Sequence, residues 1–343
     1  MLTKDSNILA LCTTGYFNDR GCHVRILQVT EALAKRNSIT VCAYSTGRNI
    51  NSQRIIRIKK IFKDETDYIG FNIRKIILDI SLLILTYKIV ENERIDRILC
   101  FTHEAGILGF LLKRTAGIEY DLDYQGSLSK ELMKYNYIFR LPIVKELSLL
   151  IERAIEHSAE RVIYNTKFSF EESKKKRKEL FEDGLSVFDS NISKAEQGEG
   201  GLFNVLWIGV MTEVQGFAEF LNMAERLLNN NILLKITVIG FPLPDDVRKR
   251  FEKFGERMHF AGKIDMKMIP HYVSEADLCI STKVESTEGN SKLHIYKEYG
   301  RDILAIRTKA SEEILRGENL VDSYKEMERT ITERIKNADG SSS

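Results

Sequence analysis

Short apolar runs alternate with longer amphipathic segments along the first half of the chain. The runs have the length and β-branched content of buried strands and lie at residues 7–13, 38–44, 97–102, 118–124, 161–165 and 185–188. The segments between them repeat apolar residues every three to four positions, which predicts helices at residues 25–35, 73–90, 105–114, 147–158 and 169–181. Alternation of this kind is typical of a parallel sheet with helical crossovers.

The same alternation restarts after a tract at residues 191–201 that has almost no apolar content and three glycines. Strands are predicted at residues 204–209, 235–239, 258–260, 278–281 and 303–307, and helices at residues 217–229, 245–254, 267–275, 292–299 and 323–336. We therefore predict an α/β protein with two Rossmann-like, doubly wound domains, at residues 1–190 and 202–322, joined by a linker at residues 191–201. Open α/β sheets bind ligands beyond the carboxyl ends of their strands, so we expect a ligand crevice between the two domains.

Composition supports a globular protein with two cores: 343 residues, of which 43% are hydrophobic and 29% are charged. The five cysteines include no C-x-x-C pair, so their spacing indicates neither a disulfide framework nor a zinc site, and a reducing cytoplasm is expected. The longest apolar stretch, residues 76–90, contains Asp79 and Lys88 and is too short for a spanning helix.

Charge divides the chain unevenly: residues 1–188 carry 30 Lys and Arg against 24 Asp and Glu, and the remainder carries 21 against 25. The excess is concentrated in the segment from Arg54 to Lys75, whose cations alternate with isoleucines. Such a segment predicts reversible docking on an anionic membrane surface, peripheral on the inner face of the membrane. The alternative is that its isoleucines belong to the core and its lysines to a solvated edge. The basic run at residues 174–178 lacks interleaved aromatic residues, so we expect no nucleic-acid partner.

Four segments carry recognisable motifs. They read, in order, ILALCTTGYFNDRGCHVRILQVTEALAKRNSITVCAYS, IERAIEHSAERVIYNTKFSFEES, VLWIGVMTEVQGFAEFLNMAERLL and, after ITVIG, MHFAGKIDMKMIPHYVSEADLCISTKVESTEGNSKLHIYKEYGRDILAI. In order and spacing they resemble the GT-B glycosyltransferases, in particular family four. The matching family patterns are an opening strand with its glycine loop, then E-x-x-x-x-x-x-A-D-x-V-I, V-G-R-x-x-x-x-K-G, and an E-G-x-x-x-K-L-x-E-Y run. Together the segments cover most of the chain.

The resemblance implies a GT-B architecture with an N-terminal acceptor domain and a C-terminal nucleotide-sugar domain, and a last helix at residues 323–337 returning towards the N-terminal domain. It also implies transfer of a hexose from a nucleotide diphosphate sugar to a glycan or lipid-linked acceptor with retention of configuration. The resemblance also implies that no metal or other cofactor is required, and that the leaving phosphate itself helps to deprotonate the incoming hydroxyl, so no protein nucleophile is needed. Whether the protein forms a homo- or hetero-oligomer is left open.

The leaving diphosphate needs cations and backbone N–H groups at a helix start. The turn from Glu288 to Lys292 offers both, although an ordinary N-cap at Ser291 with a solvated Lys292 is the alternative. The expected donor-binding residues are Gly21, Gly209, Gln215, Gly240, Lys263, Gly289, Asn290, Ser291 and Lys292. The expected catalytic residues are Gln125, Asp123 and Glu288, and His103 and Lys283 are weaker candidates. The acids Asp121 and Asp123 have D-x-D spacing, but we predict no metal there because the pair lies in the acceptor half.

Several family positions are replaced in this chain. The phosphate-binding Arg and Lys fall on Val210 and Gln215, the ribose-binding Glu falls on Ile295, and a His-Gly pair falls on Gln125 and Gly126. Neither Val210 nor Gln215 can neutralise a diphosphate. These replacements keep a second hypothesis open, a catalytically inactive GT-B subunit that acts as a binding or chaperone partner of an active glycosyltransferase.

Overall fold

A computed structural model describes residues 5–18, 21–63, 72–135, 140–183, 201–284 and 289–338. The chain divides into two compact units, of which the first contains the described residues up to Asp183 together with Gly289, and the second contains the rest. Each unit is built around its own parallel sheet. The α/β class, with two Rossmann-like units, is confirmed.

The described part of the first unit holds a seven-stranded parallel sheet in the order β3-β2-β1-β4-β5-β6-β7. Its strands are β1 (Asn7–Cys12), β2 (Ser38–Ala43), β3 (Arg54–Arg57), β4 (Arg97–Phe101), β5 (Tyr120–Tyr124), β6 (Arg161–Tyr164) and β7 (Lys178–Leu180). Its helices are α1 (Gly21–Ala34), α2 (Ile73–Asn92), α3 (Thr102–Ala116), α4 (Leu128–Tyr135), α5 (Pro142–Ser158) and α6 (Lys167–Glu172). Helices α2, α3 and α5 cover one face, and their buried sides form the core with the strands.

The second unit holds, among its described residues, a six-stranded parallel sheet in the order β10-β9-β8-β11-β12-β13. Its strands are β8 (Phe203–Ile208), β9 (Leu234–Ile239), β10 (Met258–Gly262), β11 (Leu278–Ser281), β12 (Ile303–Ile306) and β13 (Leu320–Val321). Its helices are α7 (Phe217–Asn230), α8 (Asp245–Phe251), α9 (Ile269–Glu275), α10 (Lys292–Tyr299), α11 (Lys309–Ile314) and α12 (Tyr324–Ala338). Trp207 stacks on Phe220 in the centre of the core and packs at a tilt of 45° against Phe217, with ring centroids 5.2 Å apart in both pairs.

The helix expected at residues 169–181 is shorter in the structure. α6 ends at Glu172, and the chain then forms the edge strand β7 beside β6. The Ser173 hydroxyl accepts the Lys175 N–H at 3.2 Å, which replaces a helical hydrogen bond at this point. Lysines on an edge strand also oppose pairing with another chain. The strand expected at residues 185–188, and residues 191–200 of the predicted linker, lie outside the described residues.

The basic segment that begins at Arg54 is divided between sheet and surface. β3 pairs with β2, and the Arg54 guanidinium binds Glu93 at 2.7 Å. Arg57 donates to the Thr46 carbonyl oxygen at 2.7 Å and also to that of Tyr16, and Ile58 is buried. Residues 64–71 of the segment lie outside the described part of the chain. The cations predicted to be sufficient for docking are Arg54, Arg57, Lys59, Lys60 and Lys63. The first two therefore bind within the unit.

Helix α12 belongs to the second unit. Met327, Ile331 and Ile335 enter the core of that unit, and Glu328 binds Arg226 of α7 at 2.7 Å. These contacts are explained by its apolar residues at i, i+4 and i+8. That the helix returns towards the N-terminal domain stays a prediction.

Candidate functional site

The carboxyl ends of the parallel strands in the second unit meet at one edge of its sheet. Ile208 at the end of β8 pairs with Ile239 at the end of β9, and β11 ends beside them at Ser281. In an open α/β sheet this edge is where ligands bind. The loops that follow these strands contain most of the donor-binding residues predicted for this half of the chain.

Two of the predicted glycines bring the loops after β8 and β9 into contact. The Gly209 N–H donates to the Ile239 carbonyl oxygen at 3.0 Å. A Cβ atom at Gly240, whose φ is +156°, would lie 1.8 Å from the Gly209 carbonyl oxygen. A Cβ atom at Gly209 would lie 2.9 Å from the Trp207 ring. No side chain fits at either position, so the backbone itself forms this edge of the site.

Lys292 is the first residue of α10 and points into this edge. Its Nζ donates to the Ile208 carbonyl oxygen at 2.8 Å and to Gln215 Oε1 at 2.9 Å, and it lies 5.4 Å from the centroid of the Trp207 ring. The residue keeps some exposure, but its ammonium is surrounded by protein atoms. Burial, and to a smaller extent the charge of Lys283, together lower the pKa of Lys292 to about 7.

Gln215 holds the loop after β8 against β11 and α10. Its backbone carbonyl oxygen accepts a hydrogen bond from Thr282 Oγ1 at 2.7 Å, and that hydroxyl accepts one from Trp207 Nε1 at 2.7 Å. Gln215 therefore orients the Lys292 ammonium while contributing no charge. A cation is thus present next to position 215, and it comes from the start of α10.

The start of α10 is fixed by polar contacts of its neighbours. Asn290 is buried, and its Nδ2 donates to Ser281 Oγ at 3.0 Å. Ser291 occupies the N-cap position but makes no side-chain cap hydrogen bond, so the ordinary N-cap alternative lacks its defining contact. Gly289 is grouped with the first unit, and Glu288 lies outside the described residues.

Two further lysines lie near this edge. Lys283 follows β11 by two positions and is buried, and its charge acts on Lys292. Lys263 follows Gly262, whose carbonyl oxygen accepts the Gly240 N–H at 2.9 Å, and its Nζ lies 5.2 Å from the centroid of the Phe241 ring. Lys263 is exposed, whereas Lys283 is enclosed.

The two other replaced family positions have apolar surroundings. Ile295 is buried on the inner side of α10, and Val210 follows Gly209 in a half-buried loop. Neither side chain can bind a ribose hydroxyl or a phosphate oxygen through hydrogen bonds.

In the first unit, Asp123 at the end of β5 is completely buried and paired with Arg25 of α1. Arg25 Nη2 lies 2.7 Å from Asp123 Oδ1, and Arg25 also binds Asp183 at 3.3 Å and the Phe181 carbonyl oxygen. Burial opposes the charge on Arg25, but the attraction of Asp123 and Asp183 outweighs it and raises its pKa. Gln125 Nε2 donates to Asp123 Oδ2 at 2.9 Å. The catalytic roles of Asp123 and Gln125 stay predictions, and in this structure both belong to one buried network.

Asp121 is likewise held by arginines. Its two carboxylate oxygens bind Arg97 at 3.0 Å and Arg161 at 2.8 Å. With each acid of the D-x-D pair bound to a guanidinium, the geometry favours ion pairs over metal ligation by these carboxylates.

His103, a weaker candidate, lies in a cluster that could hold a metal ion by distance. The ligand atoms of His103, Glu152 and Glu156 lie within 4.8 Å of one another, the one such group found among the described residues. Glu152 already accepts hydrogen bonds from Ser127 Oγ at 3.0 Å and from the Ser129 N–H at 2.9 Å. These contacts hold the turn that follows Gln125 and explain why Glu152 is buried.

Gly21 is the first residue of α1 and is exposed, with no protein atom within 4 Å of an added Cβ. The buried His23 holds the preceding loop: its Nδ1 accepts the Asn18 N–H at 2.8 Å, so its Nε2 carries the proton and donates to Thr14 Oγ1 at 2.9 Å. Binding of a ligand at Gly21 stays a prediction.

Sequence reasoning missed Trp207, Thr282 and Arg25. Trp207 could have been identified, because it is the only tryptophan of the chain and lies in the predicted strand just before Gly209. The partners of Thr282 and Arg25 are 67 and 98 positions away along the chain, so no local pattern could reveal them.

No protein-family model and no curated protein matches the sequence of this chain. Solved structures match its fold. HepE from Anabaena in complex with UDP and glucose is 14% identical with a TM-score of 0.73, and 97% of this chain matches 91% of it. Sucrose-phosphate synthase from Thermosynechococcus elongatus is 16% identical with a TM-score of 0.75, covering 97% of this chain and 90% of the other.

Trehalose 6-phosphate synthase from Burkholderia multivorans is 10% identical with a TM-score of 0.65, covering 96% of this chain and 90% of the other. These proteins are GT-B glycosyltransferases. At such low identity the likeness establishes the fold, and this chain has the GT-B fold.

Proposed function

We propose that the chain is a family-four-like glycosyltransferase that moves a hexose from a nucleotide diphosphate sugar to a glycan or lipid-linked acceptor. The observation that carries the proposal is the Lys292 ammonium, 2.9 Å from Gln215 Oε1 at the strand edge where the glycines 209 and 240 expose backbone. HepE, which shares the fold, has been crystallised with UDP, with UDP and glucose, and with UDP-glucose.

The second unit offers what the leaving group needs. Cleavage of a sugar–phosphate bond develops negative charge on the diphosphate, and that charge is stabilised by preorganised donors and cations. Lys292 provides one cation with three N–H donors, two of which have protein acceptors among the described residues. Lys283 adds a second positive charge nearby, and the Lys292 N–H adds a donor at the start of α10. The next two N–H groups, of Leu293 and His294, donate to the Asn290 and Ser291 carbonyl oxygens.

We propose retention of configuration and no metal requirement for the same reaction. Two observations support the absence of a metal requirement. Asp121 and Asp123 are both bound by arginines, and the second unit has lysines where we place the diphosphate. Retention would use the leaving phosphate as the base for the incoming hydroxyl. No protein nucleophile is then required.

The second candidate function is a non-catalytic binding subunit. Val210 and the buried Ile295 favour it, because the arginine and the glutamate of the family motifs are both lost there. A subunit of this kind would still bind nucleotide through Lys292 but would release no product.

The test measures UDP binding by calorimetry and UDP release from UDP-glucose, with a panel of other nucleotide sugars beside it. We expect binding and slow release in the wild type, and Lys292→Met to weaken UDP binding about tenfold, the effect of one charge-assisted hydrogen bond. The matched control is Lys297→Met, an exposed lysine of the same helix, which should bind like the wild type. Binding without release from any donor would favour the subunit, and no binding of any nucleotide would exclude the enzyme.

A further inference from the structure

The outer surface of the first unit carries a large apolar face on helices α2, α3 and α5. On α2 the solvent side of the first three turns consists mainly of isoleucines, with Ile73 67%, Ile80 52% and Ile84 52% exposed. The opposite side of the same helix is also apolar, with Leu78 and Leu82 in the core. A helix that is apolar all round normally has a partner on each side.

The other two helices extend this face. α5 exposes Ile143, Leu147, Leu150 and Ile151, and α3 exposes Ile107 and Leu111 between them. α3 packs against both neighbours: Lys75 of α2 binds Glu104 of α3 at 2.5 Å, and His103 of α3 binds Glu156 of α5 at 3.3 Å. The exposed apolar side chains therefore lie on one continuous helical layer, which we call the α2–α3–α5 face. A face of this extent marks an interaction surface.

Exposed cations outnumber exposed acids around this face. Lys59, Lys60 and Lys63 follow β3, and the helices and their flanks add Arg74, Lys88, Arg114, Arg140, Lys145 and Arg153. The exposed acids among the described residues of these helices and their flanks are Glu91, Asp96 and Glu146. The remaining acids face inward or are bound, as Asp79 is by Tyr44 at 2.5 Å and Glu104 by Lys75.

We propose that the α2–α3–α5 face docks on an anionic lipid bilayer, with the isoleucines and leucines at the headgroup boundary and the surrounding lysines and arginines at the lipid phosphates. Apolar side chains inside a cationic rim fit such a surface, since burial and electrostatic attraction add to each other. A second copy of this chain is the poorer occupant, because a two-fold contact would bring the same cationic rims together.

The docking surface differs from the segment indicated by the sequence. Arg57 is held within the unit and Arg54 is paired with Glu93 at the surface. The other exposed cations among the described residues of that segment are Lys59, Lys60, Lys63 and Arg74. The apolar contribution comes instead from helices, whose isoleucines are exposed although sequence alone would place them in the core. Docking is independent of the nucleotide site in the second unit.

The experiment is co-sedimentation of the full chain with vesicles of phosphatidylcholine alone and of phosphatidylcholine mixed with phosphatidylglycerol. We expect binding to the mixed vesicles, weakened by salt, and at least about tenfold weaker after Ile80→Glu with Ile84→Glu. Lys59→Glu with Lys60→Glu should weaken it as well. The matched control is Ile232→Glu on the second unit, a position that is 78% exposed and should leave binding unchanged.

Three results would overturn the proposal. The first is no preference for anionic over neutral vesicles, and the second is unchanged binding in the Ile80/Ile84 double variant. The third is a wild-type dimer in gel filtration that the same double variant converts to monomer, since the face would then be a protein interface. Circular dichroism and the calorimetric unfolding transition of the first unit show that each variant is folded. UDP binding keeps failure of docking distinct from failure of the proposed enzyme function.

Discussion

Lys292 is the residue whose charge state a bound phosphate would change most. Burial and Lys283 lower its pKa to about 7 before any ligand is present. A diphosphate next to the ammonium would favour the charged form and raise that pKa. Ligand binding and proton binding at Lys292 are therefore linked.

We predict that UDP affinity is highest below about pH 7 and falls as the pH rises through that value, by about tenfold over the range from about pH 6 to about pH 9. The sign follows because the free protein must take up a proton to bind at the higher pH. Calorimetry in buffers of different ionisation enthalpy measures both the affinity and the proton uptake. The UDP phosphate itself titrates near about pH 6, so Lys292→Met provides the background from the ligand. An identical pH profile in this variant would contradict the assignment.

Gln215 offers a second test at the same atoms. Gln215→Glu keeps the acceptor 2.9 Å from the Lys292 ammonium but makes it a carboxylate. The new charge would keep Lys292 protonated and repel a diphosphate, so we expect UDP to bind at least about tenfold more weakly, with a flatter pH profile. Asn229→Asp adds the same charge at an exposed position of α7 and should leave both measurements unchanged. Unaltered affinity in Gln215→Glu would place the phosphate elsewhere.

At the scale of elements, Arg25 connects α1 to β5 and to the residues that follow β7. Arg25 is buried, binds the buried Asp123 at 2.7 Å, and lies 5.1 Å from the Phe181 ring centroid. Removing one member of a buried pair leaves the other charge without compensation, which costs more than the pair itself contributes. Among the described contacts of the Asp123 carboxylate, only the hydrogen bond from the Gln125 amide would then remain.

We predict that Arg25→Met lowers the free energy of unfolding by about 3 kcal/mol, measured by urea denaturation followed by circular dichroism. Arg94→Met removes an arginine from an exposed pair with Asp96 and should have no measurable effect. If Arg25→Met were as stable as the wild type, the pair would contribute little to folding. Asp123 could then be free for the catalytic role predicted from the sequence.

Elements with strong periodicity were predictable, and edge elements were not. β1, β2, β4 and β6 occur where the apolar runs predict strands, because buried strands of a parallel sheet are largely apolar on both faces. β5 also occurs where it was predicted, although it contains the buried Asp121 and Asp123. β3 and β7 are edge strands rich in Lys and Arg, with only one neighbour each to favour apolar residues. Their sequences therefore resemble surface segments or charged helices.

The candidate site was likewise predictable only in part. Gly209, Gly240 and Lys292 follow strands or begin a helix, so their position at the sheet edge follows from the order of the elements. Which atoms meet there depends on contacts between distant segments, such as Lys292 with Gln215, 77 positions apart. The isoleucines of α2 show the converse case, since an apolar pattern gives no information on whether a side chain faces the core or an outside partner.

At the scale of the whole molecule, the described residues form two apolar cores, one in each unit, and the contacts of Lys292 in the candidate nucleotide site lie in the second. A ligand that binds only the folded form stabilises the unit that holds its site, by about 2.7 kcal/mol at a concentration one hundred times its dissociation constant. Residues of the other core receive none of this stabilisation unless the two units unfold together.

We therefore predict two calorimetric unfolding transitions, of which UDP raises only one. Arg25→Met should lower the other transition, because its partners all belong to the first unit. Lys292→Met should reduce the shift caused by UDP and leave the transition of the first unit in place. A single transition, raised by UDP and lowered by Arg25→Met, would show instead that the units unfold cooperatively, and the stability of the nucleotide site would then depend on the core of the first unit.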